Sequence, residues 1–368
     1  MTRRILLLNG IAILAVIITH AAGWGQIALL QWAFRYIPGA TPYDQIGTMP
    51  YYVLLVIRQL LVFAIPAFLF VSGFFVAYAA RSARSGLTWK IVRTRVQNLL
   101  IPYLIWSSAI FASDALMHIT YTPQEYIMRL VLWGASGYLY FVPMLCEFYL
   151  LSPWLVRLAR ANPKLLLIAT GAIQLGTEGL VYLNVFKVPI PGLDLALALM
   201  PAQLFIRWIF FFPLGIVCAF HLEELKRLLA RFKRHLLAAT IVLAPFAVIE
   251  PELIYRTTSL DLRWNPMTLP PGLYVLALLF TYLAYDSIAI PFSPVLNKLA
   301  ANSYGIYLLH FKSMEFIAKL VYHFSPWLLA WQLLYQPLLL FFGLGVVWWS
   351  MTGVMRSPAR PLSRYLFG

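Results

Sequence analysis

Apolar runs follow one another along nearly the whole chain, separated by short stretches rich in charge, Pro and Gly. A helix needs about 20 apolar residues to cross the hydrocarbon core of a bilayer. Ten segments meet that need: residues 5 to 24, 53 to 80, 97 to 116, 136 to 156, 165 to 184, 201 to 220, 236 to 252, 270 to 289, 299 to 322 and 333 to 354. Gly134, Ser136 and Gly137 blur the start of the fourth, and Lys312 and Glu315 interrupt the ninth. The pattern predicts an all-α fold: a polytopic membrane bundle of about ten transmembrane helices, with residues 1 to 368 forming a single integral membrane domain.

The basic residues orient this bundle, because loops on the cytoplasmic side of a membrane accumulate Lys and Arg. With the N-terminus inside, the inner segments hold nineteen of them, including Arg3, Arg4, Arg84, Lys90, Arg93, Arg95, Lys298, Arg356 and Arg364. The outer segments hold six, among them Arg129, Arg256 and Arg263. Both termini are therefore expected in the cytoplasm, in agreement with an even number of spans. Arg3 and Arg4 ahead of an apolar run, with Ala21 and Ala22 behind it, also suit a signal peptide. The histidine within that run and the odd span count that cleavage would leave argue against one. The external loops at Pro38 to Pro42 and Pro266 to Gly272 read as compact caps.

Composition points the same way. The chain is 62% hydrophobic and 11% charged, against about 45–50% and about 25% in soluble domains. Its net charge of +15 would suggest nucleic acid in a soluble protein, but here topology accounts for it and no nucleic-acid partner is expected. Cys146 and Cys218 both fall in apolar runs, so they read as small buried hydrophobes rather than a disulfide.

Ionisable groups inside the bilayer carry the candidate chemistry, since each costs several kcal/mol to place there. His20 lies 15 residues beyond Ile5, which at about 1.5 Å per residue is roughly 22 Å into the membrane. Its imidazole is a base near neutral pH; the competing role is a structural hydrogen bond to a neighbouring helix. Arg58, Glu178, Arg207, Lys312 and Glu315 share the outer half with it and suggest one polar cavity opening outward. Otherwise Arg58 and Arg207 snorkel to headgroups and Lys312 pairs with Glu315 at i, i+3. Glu147 and His310 sit deep in the fourth and ninth spans, where a packing role competes evenly with a catalytic one. Lys90, Arg93 and Arg95 precede Pro102 at the start of the third span, a cluster suited to anionic lipid headgroups or a phosphorylated cofactor. No Walker loop, dinucleotide-binding glycine pattern, zinc helix or nucleophile elbow is present.

Several segments carry a family likeness. They are Leu8-Asn-Gly-Ile-Ala-Ile-Leu-Ala-Val-Ile-Ile-Thr-His20; Pro66 to Phe74 with Ser72-Gly73; Arg93-Thr-Arg95 before Pro102, Tyr103 and Trp106; Gly137 to Pro153; and Ser303-Tyr-Gly-Ile-Tyr-Leu-Leu-His310. In this order they resemble the acyltransferase-3 family of integral membrane O-acyltransferases. Two positions depart from the family pattern: Asn9 stands where members commonly carry a basic residue eleven positions before the histidine, and Asn98 stands in place of the second Arg of an Arg-x-x-Arg pair.

The resemblance implies transfer of an acyl group, usually acetyl, from cytoplasmic acyl-CoA to a hydroxyl of an extracytoplasmic glycan or glycolipid, at the plasma membrane and with no metal. It casts His20 as general base, Arg58 or Arg207 as stabiliser of the oxyanion, and Arg93 and Arg95 as holders of the CoA phosphates. Glu147 and His310 complete the candidate catalytic set, and an acyl-enzyme on Ser72 or Ser303 is a variant. The competing class is a glycan or lipid exporter without an acyl donor.

Overall fold

The computed structural model describes residues 1–81, 87–262 and 268–368; Arg84, Arg263 and Pro266, used above for topology and loops, lie outside the described residues. Every regular element among the described residues is helical. In chain order these are α1 (Thr2–Leu30), α2 (Met49–Leu60), α3 (Ala64–Arg81), α4 (Trp89–Leu116), α5 (Pro123–Met128), α6 (Phe141–Ala161), α7 (Pro163–Val185), α8 (Leu193–Leu199) and α9 (Phe211–Phe220). They continue as α10 (Leu222–Thr258), α11 (Leu269–Ala284), α12 (Ser293–Ala301), α13 (Ser303–Phe324), α14 (Trp327–Ala330), α15 (Gln332–Leu340), α16 (Val347–Arg356) and α17 (Ser363–Phe367).

Seven helical segments are long and apolar enough to cross a membrane, counted among the described residues. They begin at Thr2, Met49, Trp89, Phe141, Pro163, Leu222 and Gln332, so the chain is a multi-pass membrane protein. The other three expected crossings take different forms. Residues 201 to 220 are helical only in part, as a 3-10 turn (Phe205–Trp208) followed by the 10-residue α9. α11 has 16 residues, and α13 has 22 but carries Lys312, Glu315 and Lys319.

α1 is the axis of the bundle and packs against α2, α3, α12, α13 and α15. Its apolar residues are buried all round rather than along one stripe, as expected of a helix enclosed by others. Where helices must approach closely, glycine permits it. A Cβ on Gly73 of α3 would fall 2.0 Å from the Phe212 carbonyl oxygen of α9, and one on Gly215 of α9 would fall 2.0 Å from that of Phe70 of α3. Each helix thus presses a glycine against the other's backbone, the small-residue packing by which membrane helices gain van der Waals contact without a hydrophobic drive. Gly10 of α1 meets the Leu296 carbonyl of α12 in the same manner, at 2.2 Å.

Three expected spans are interrupted for local reasons. The span 53 to 80 is two helices: α2 stops at Leu60 and α3 starts at Ala64, because Pro66 cannot donate the bond that would tie it to Val62 across the join. The span 136 to 156 starts as a helix only at Phe141. Before it, Gly134 adopts φ +76°, and the chain folds into a turn over residues 136 to 140, closed by the Leu139 N–H on the Ser136 carbonyl. The last span changes pitch midway through a π-helix, Phe341–Val346.

Gly73→Leu and Gly215→Leu are expected to abolish the folded state, since overpacking a core already costs about 1–3 kcal/mol and here the obstacle is backbone. Gel filtration of detergent-solubilised protein checks this; Gly176→Leu, where nothing lies within 4 Å of the added Cβ, is the matched control.

Candidate active site

A cavity of about 320 Å³ opens beside His20, within the range of small-ligand sites. α1 supplies Thr19, His20, Gly23 and Trp24 to its wall, and α2 supplies Arg58. Three places where regular helix is interrupted supply much of the rest: Leu61 and Val62 from the α2–α3 join, Gly137, Tyr138 and Tyr140 from the turn before α6, and Trp208 from the 3-10 turn before α9. Non-helical backbone is tolerated at membrane depth only where protein buries it or a cavity borders it, so their convergence marks this place as built rather than incidental.

His20 is half-buried, with its ring centroid 5.2 Å from that of His310 and 5.1 Å from that of Phe311 on α13. His310 is fully buried. Its Nδ1 lies 2.8 Å from the Tyr307 carbonyl oxygen and 3.2 Å from that of Ile306. A carbonyl only accepts, so Nδ1 carries the proton and Nε2 presents a bare lone pair. That Nε2 has no hydrogen-bond partner among the described residues, nor do the buried Thr19 Oγ1 and Trp24 Nε1 beside the cavity. Buried polar atoms are nearly always paired. Three such atoms around one histidine therefore point to a ligand site.

Two tyrosines clamp the wall. The Tyr307 hydroxyl donates to the Tyr138 carbonyl oxygen, and the Tyr138 hydroxyl donates to the Leu308 carbonyl oxygen at 2.8 Å. The turn at 136 to 140 is thereby fastened to α13, and Tyr138 stacks on Phe311 with centroids 4.7 Å apart. Gly134 is required there, because a Cβ would fall 2.7 Å from the Leu139 carbonyl carbon. Arg58 is 7% exposed and donates through Nη1 to Oε1 of Gln26, itself 2% exposed on α1.

The other expected residues lie elsewhere. Glu147 does not line the cavity; its carboxylate accepts the Phe205 N–H at 3.1 Å and so caps the 3-10 turn that carries Trp208. The single outward polar cavity expected from five ionisable residues does not form, since only Arg58 lines the His20 cavity. Lys312 pairs with Glu315 at 2.7 Å, and Lys319 joins them at 2.6 Å. Glu178 accepts from Gln174 Nε2 at 3.0 Å, and the same amide group donates to the Arg207 carbonyl at 2.7 Å, a separate cluster between α7 and the 3-10 turn. Arg93 is exposed on α4. Arg95 turns inward instead, donating to the Phe75 carbonyl at 3.3 Å with its guanidinium 5.4 Å from the centre of the Tyr149 ring.

Ser72 and Ser303 line a second, smaller cavity of about 120 Å³ with Asn9 and Tyr304. Asn9 donates to Ser303 Oγ at 3.0 Å. Tyr307 borders both cavities, and Asn9 in its lining places the second toward the N-terminal end of α1. No histidine lines it, which leaves neither serine with a base. Sequence reasoning missed Trp24, Gln26, Tyr138 and Trp208 as parts of the site. Trp24 was detectable, being four residues after His20 and so on the same helix face; Gln26, on α1, joins through its bond to Arg58, and Tyr138 and Trp208 reach the site only through the turns.

With this geometry in hand, a model described as an acyltransferase domain, Acyl_transf_3, matches residues 4–354. The chain belongs to the acyltransferase-3 family. Relatives at greater distance come from Staphylococcus aureus and bear the name "Probable poly-beta-1,6-N-acetyl-D-glucosamine export protein". The protein of strain MRSA252 is 24% identical over 266 residues, 69% of each chain. That of strain MSSA476 is 23% identical over 266 residues, and that of strain Mu50 is 23% identical over 263, again 69% of each chain. No solved structure matches.

Gln26→Leu is expected to lower stability by about 1–3 kcal/mol by removing the acceptor of a buried guanidinium, whereas Tyr138→Phe costs about 1 kcal/mol. Thermal unfolding of the purified protein in detergent checks both.

Proposed function

We propose that this chain is an O-acyltransferase of the plasma membrane. In this reading it moves a short acyl group, acetyl first among them, from cytoplasmic acyl-CoA to a hydroxyl of an extracytoplasmic glycan or glycolipid. The bundle would cross the membrane ten times with both termini in the cytoplasm. The observation that carries the reading is His20 at the wall of a cavity that Arg58 also lines, with the ring of His310, whose Nε2 is unpartnered among the described residues, 5.2 Å away. The names of the staphylococcal relatives favour a polysaccharide of N-acetylglucosamine as acceptor.

In this mechanism His20 removes the hydroxyl proton as the acceptor oxygen attacks the thioester carbonyl, a contribution of about 10²–10⁴-fold. The new C–O bond replaces the C–S bond, and the departing thiolate takes the proton back from His20. His310, bonded through Nδ1–H to its own helix, faces His20 with ring centroids 5.2 Å apart, and in this mechanism its unpartnered Nε2 would take up a His20 N–H once substrate is bound, leaving the other imidazole nitrogen bare toward the cavity. It is a positioning residue, with the logic of a base oriented by a third group. Arg58 supplies positive charge where the carbonyl oxygen becomes negative.

The donor's fit is partial. Arg93, exposed on α4, suits a phosphate. Arg95 is engaged inside the bundle, and the small cavity through which a pantetheine arm would reach His20 is lined by neutral Asn9. Donor binding therefore rests on Arg93 and shape more than on charge at depth.

Radiolabelled acetyl-CoA with membrane glycolipid extract in nanodiscs tests the reading. Wild type is expected to label glycan. His20→Ala, still folded, should lose at least about 10²-fold, and His310→Ala should lower kcat with the KM for acetyl-CoA unchanged. Acetyl-CoA at 100 times its Kd should also stabilise the wild type by about 2.7 kcal/mol. The names of the relatives favour a second reading, polysaccharide export; absence of label together with indifference to acetyl-CoA would support it.

A further inference from the structure

The indole N–H of Trp24 is a donor with nothing to donate to. Trp24 is 7% exposed and lines the His20 cavity, yet its Nε1 meets no hydrogen-bond acceptor among the described residues. An indole nitrogen is a donor only, so no rotation or tautomer within the side chain resolves this. Burying such a group without a partner is costly, and Phe would supply the same aromatic packing without the penalty. The ring itself is well held, with centroids 5.7 Å from both Trp32 and Phe311.

Position on α1 indicates what the partner is. Trp24 lies four residues past His20, about 6 Å farther along the axis, and on the opposite side of His20 from Asn9 and the smaller cavity. An acyl donor arriving past Asn9 would present its carbonyl at His20 and would not extend to Trp24. Hydrocarbon would also leave the N–H unmet. A sugar ring offers oxygen acceptors for the N–H and C–H faces for the aromatic wall of Trp208 and Tyr140. We infer that Trp24 is a substrate-contacting residue that donates a hydrogen bond from Nε1 to an oxygen of the saccharide acceptor and so selects a polyhydroxylated ring over an aliphatic alcohol. The inference rests on the transferase reading for the direction of approach, but its test is binding.

The full-length protein in nanodiscs is titrated by calorimetry with a β-1,6-linked N-acetylglucosamine tetrasaccharide and, separately, with acetyl-CoA. Trp24→Phe is expected to weaken saccharide binding about tenfold, the worth of one hydrogen bond, and to leave acetyl-CoA binding unchanged. Unchanged saccharide affinity in that variant overturns the assignment. A series of monodeoxy tetrasaccharides on the wild-type protein does not depend on any variant folding. One analogue should lose about tenfold, and a flat series, or no saturable saccharide binding at all, overturns the assignment. Saccharide binding lost in Trp24→Phe from a wild type that transfers no acyl group would sustain the contact while removing the transferase.

Discussion

A base placed inside a membrane has to be solvated by protein, and the rest of this structure follows from meeting that requirement around α1. The helix that carries His20 is enclosed by six others, and its neighbours are the groups that can meet an imidazole without water: a second imidazole, aromatic edges and a hydrogen-bonded guanidinium. Enclosure demands close approach, which is why glycine sits at the crossings of α1 with α12 and of α3 with α9. In lipid there is no hydrophobic gain from bringing helices together, so contact of this kind is the main source of cohesion.

The cavity exists because regular helix is interrupted at three places facing the same point. The α2–α3 join, the turn at 136 to 140 and the 3-10 turn at 205 to 208 each leave backbone groups that hydrocarbon does not tolerate. Protein side chains meet them: Tyr307 takes the Tyr138 carbonyl, and Glu147 takes the Phe205 N–H. Glu147 thus serves the site at one remove by holding the turn that presents Trp208. From sequence alone the same carboxylate stood in the candidate catalytic set, with a packing role weighed evenly against a catalytic one.

The proposed acyl transfer and the export named for the staphylococcal relatives both call for a chamber inside the bundle. In the proposed reading a thioester would approach His20 from the Asn9 end of α1 and a glycan from the Trp24 end; the cavities at these two ends both border Tyr307. The chain matches an acyltransferase domain, and its staphylococcal relatives carry the name of exporters.

Hydropathy and charge alone disclosed the membrane, the helical class and most of the spans, because the bilayer imposes length and apolarity locally on each segment. His20 and Arg58 were legible for the same reason: an ionisable group in an apolar run stands out before any fold is known. Seven spans appear as expected by length and composition, and the misjudged boundaries at Ala64, Phe141 and Phe211 fall where Pro, Gly and capping, rather than hydropathy, decide. Which ionisable groups share a cavity was not in the sequence. Lys312 and Glu315 satisfy each other one turn apart and Glu178 is taken up by Gln174, so three expected members leave the set, while Arg95, expected at the CoA phosphates, turns to Phe75 and Tyr149. Only the tertiary structure brought α13 beside α1 and so joined His310 to His20 across 290 residues, because helix contact in a membrane depends on the shapes of whole faces and not on any local pattern.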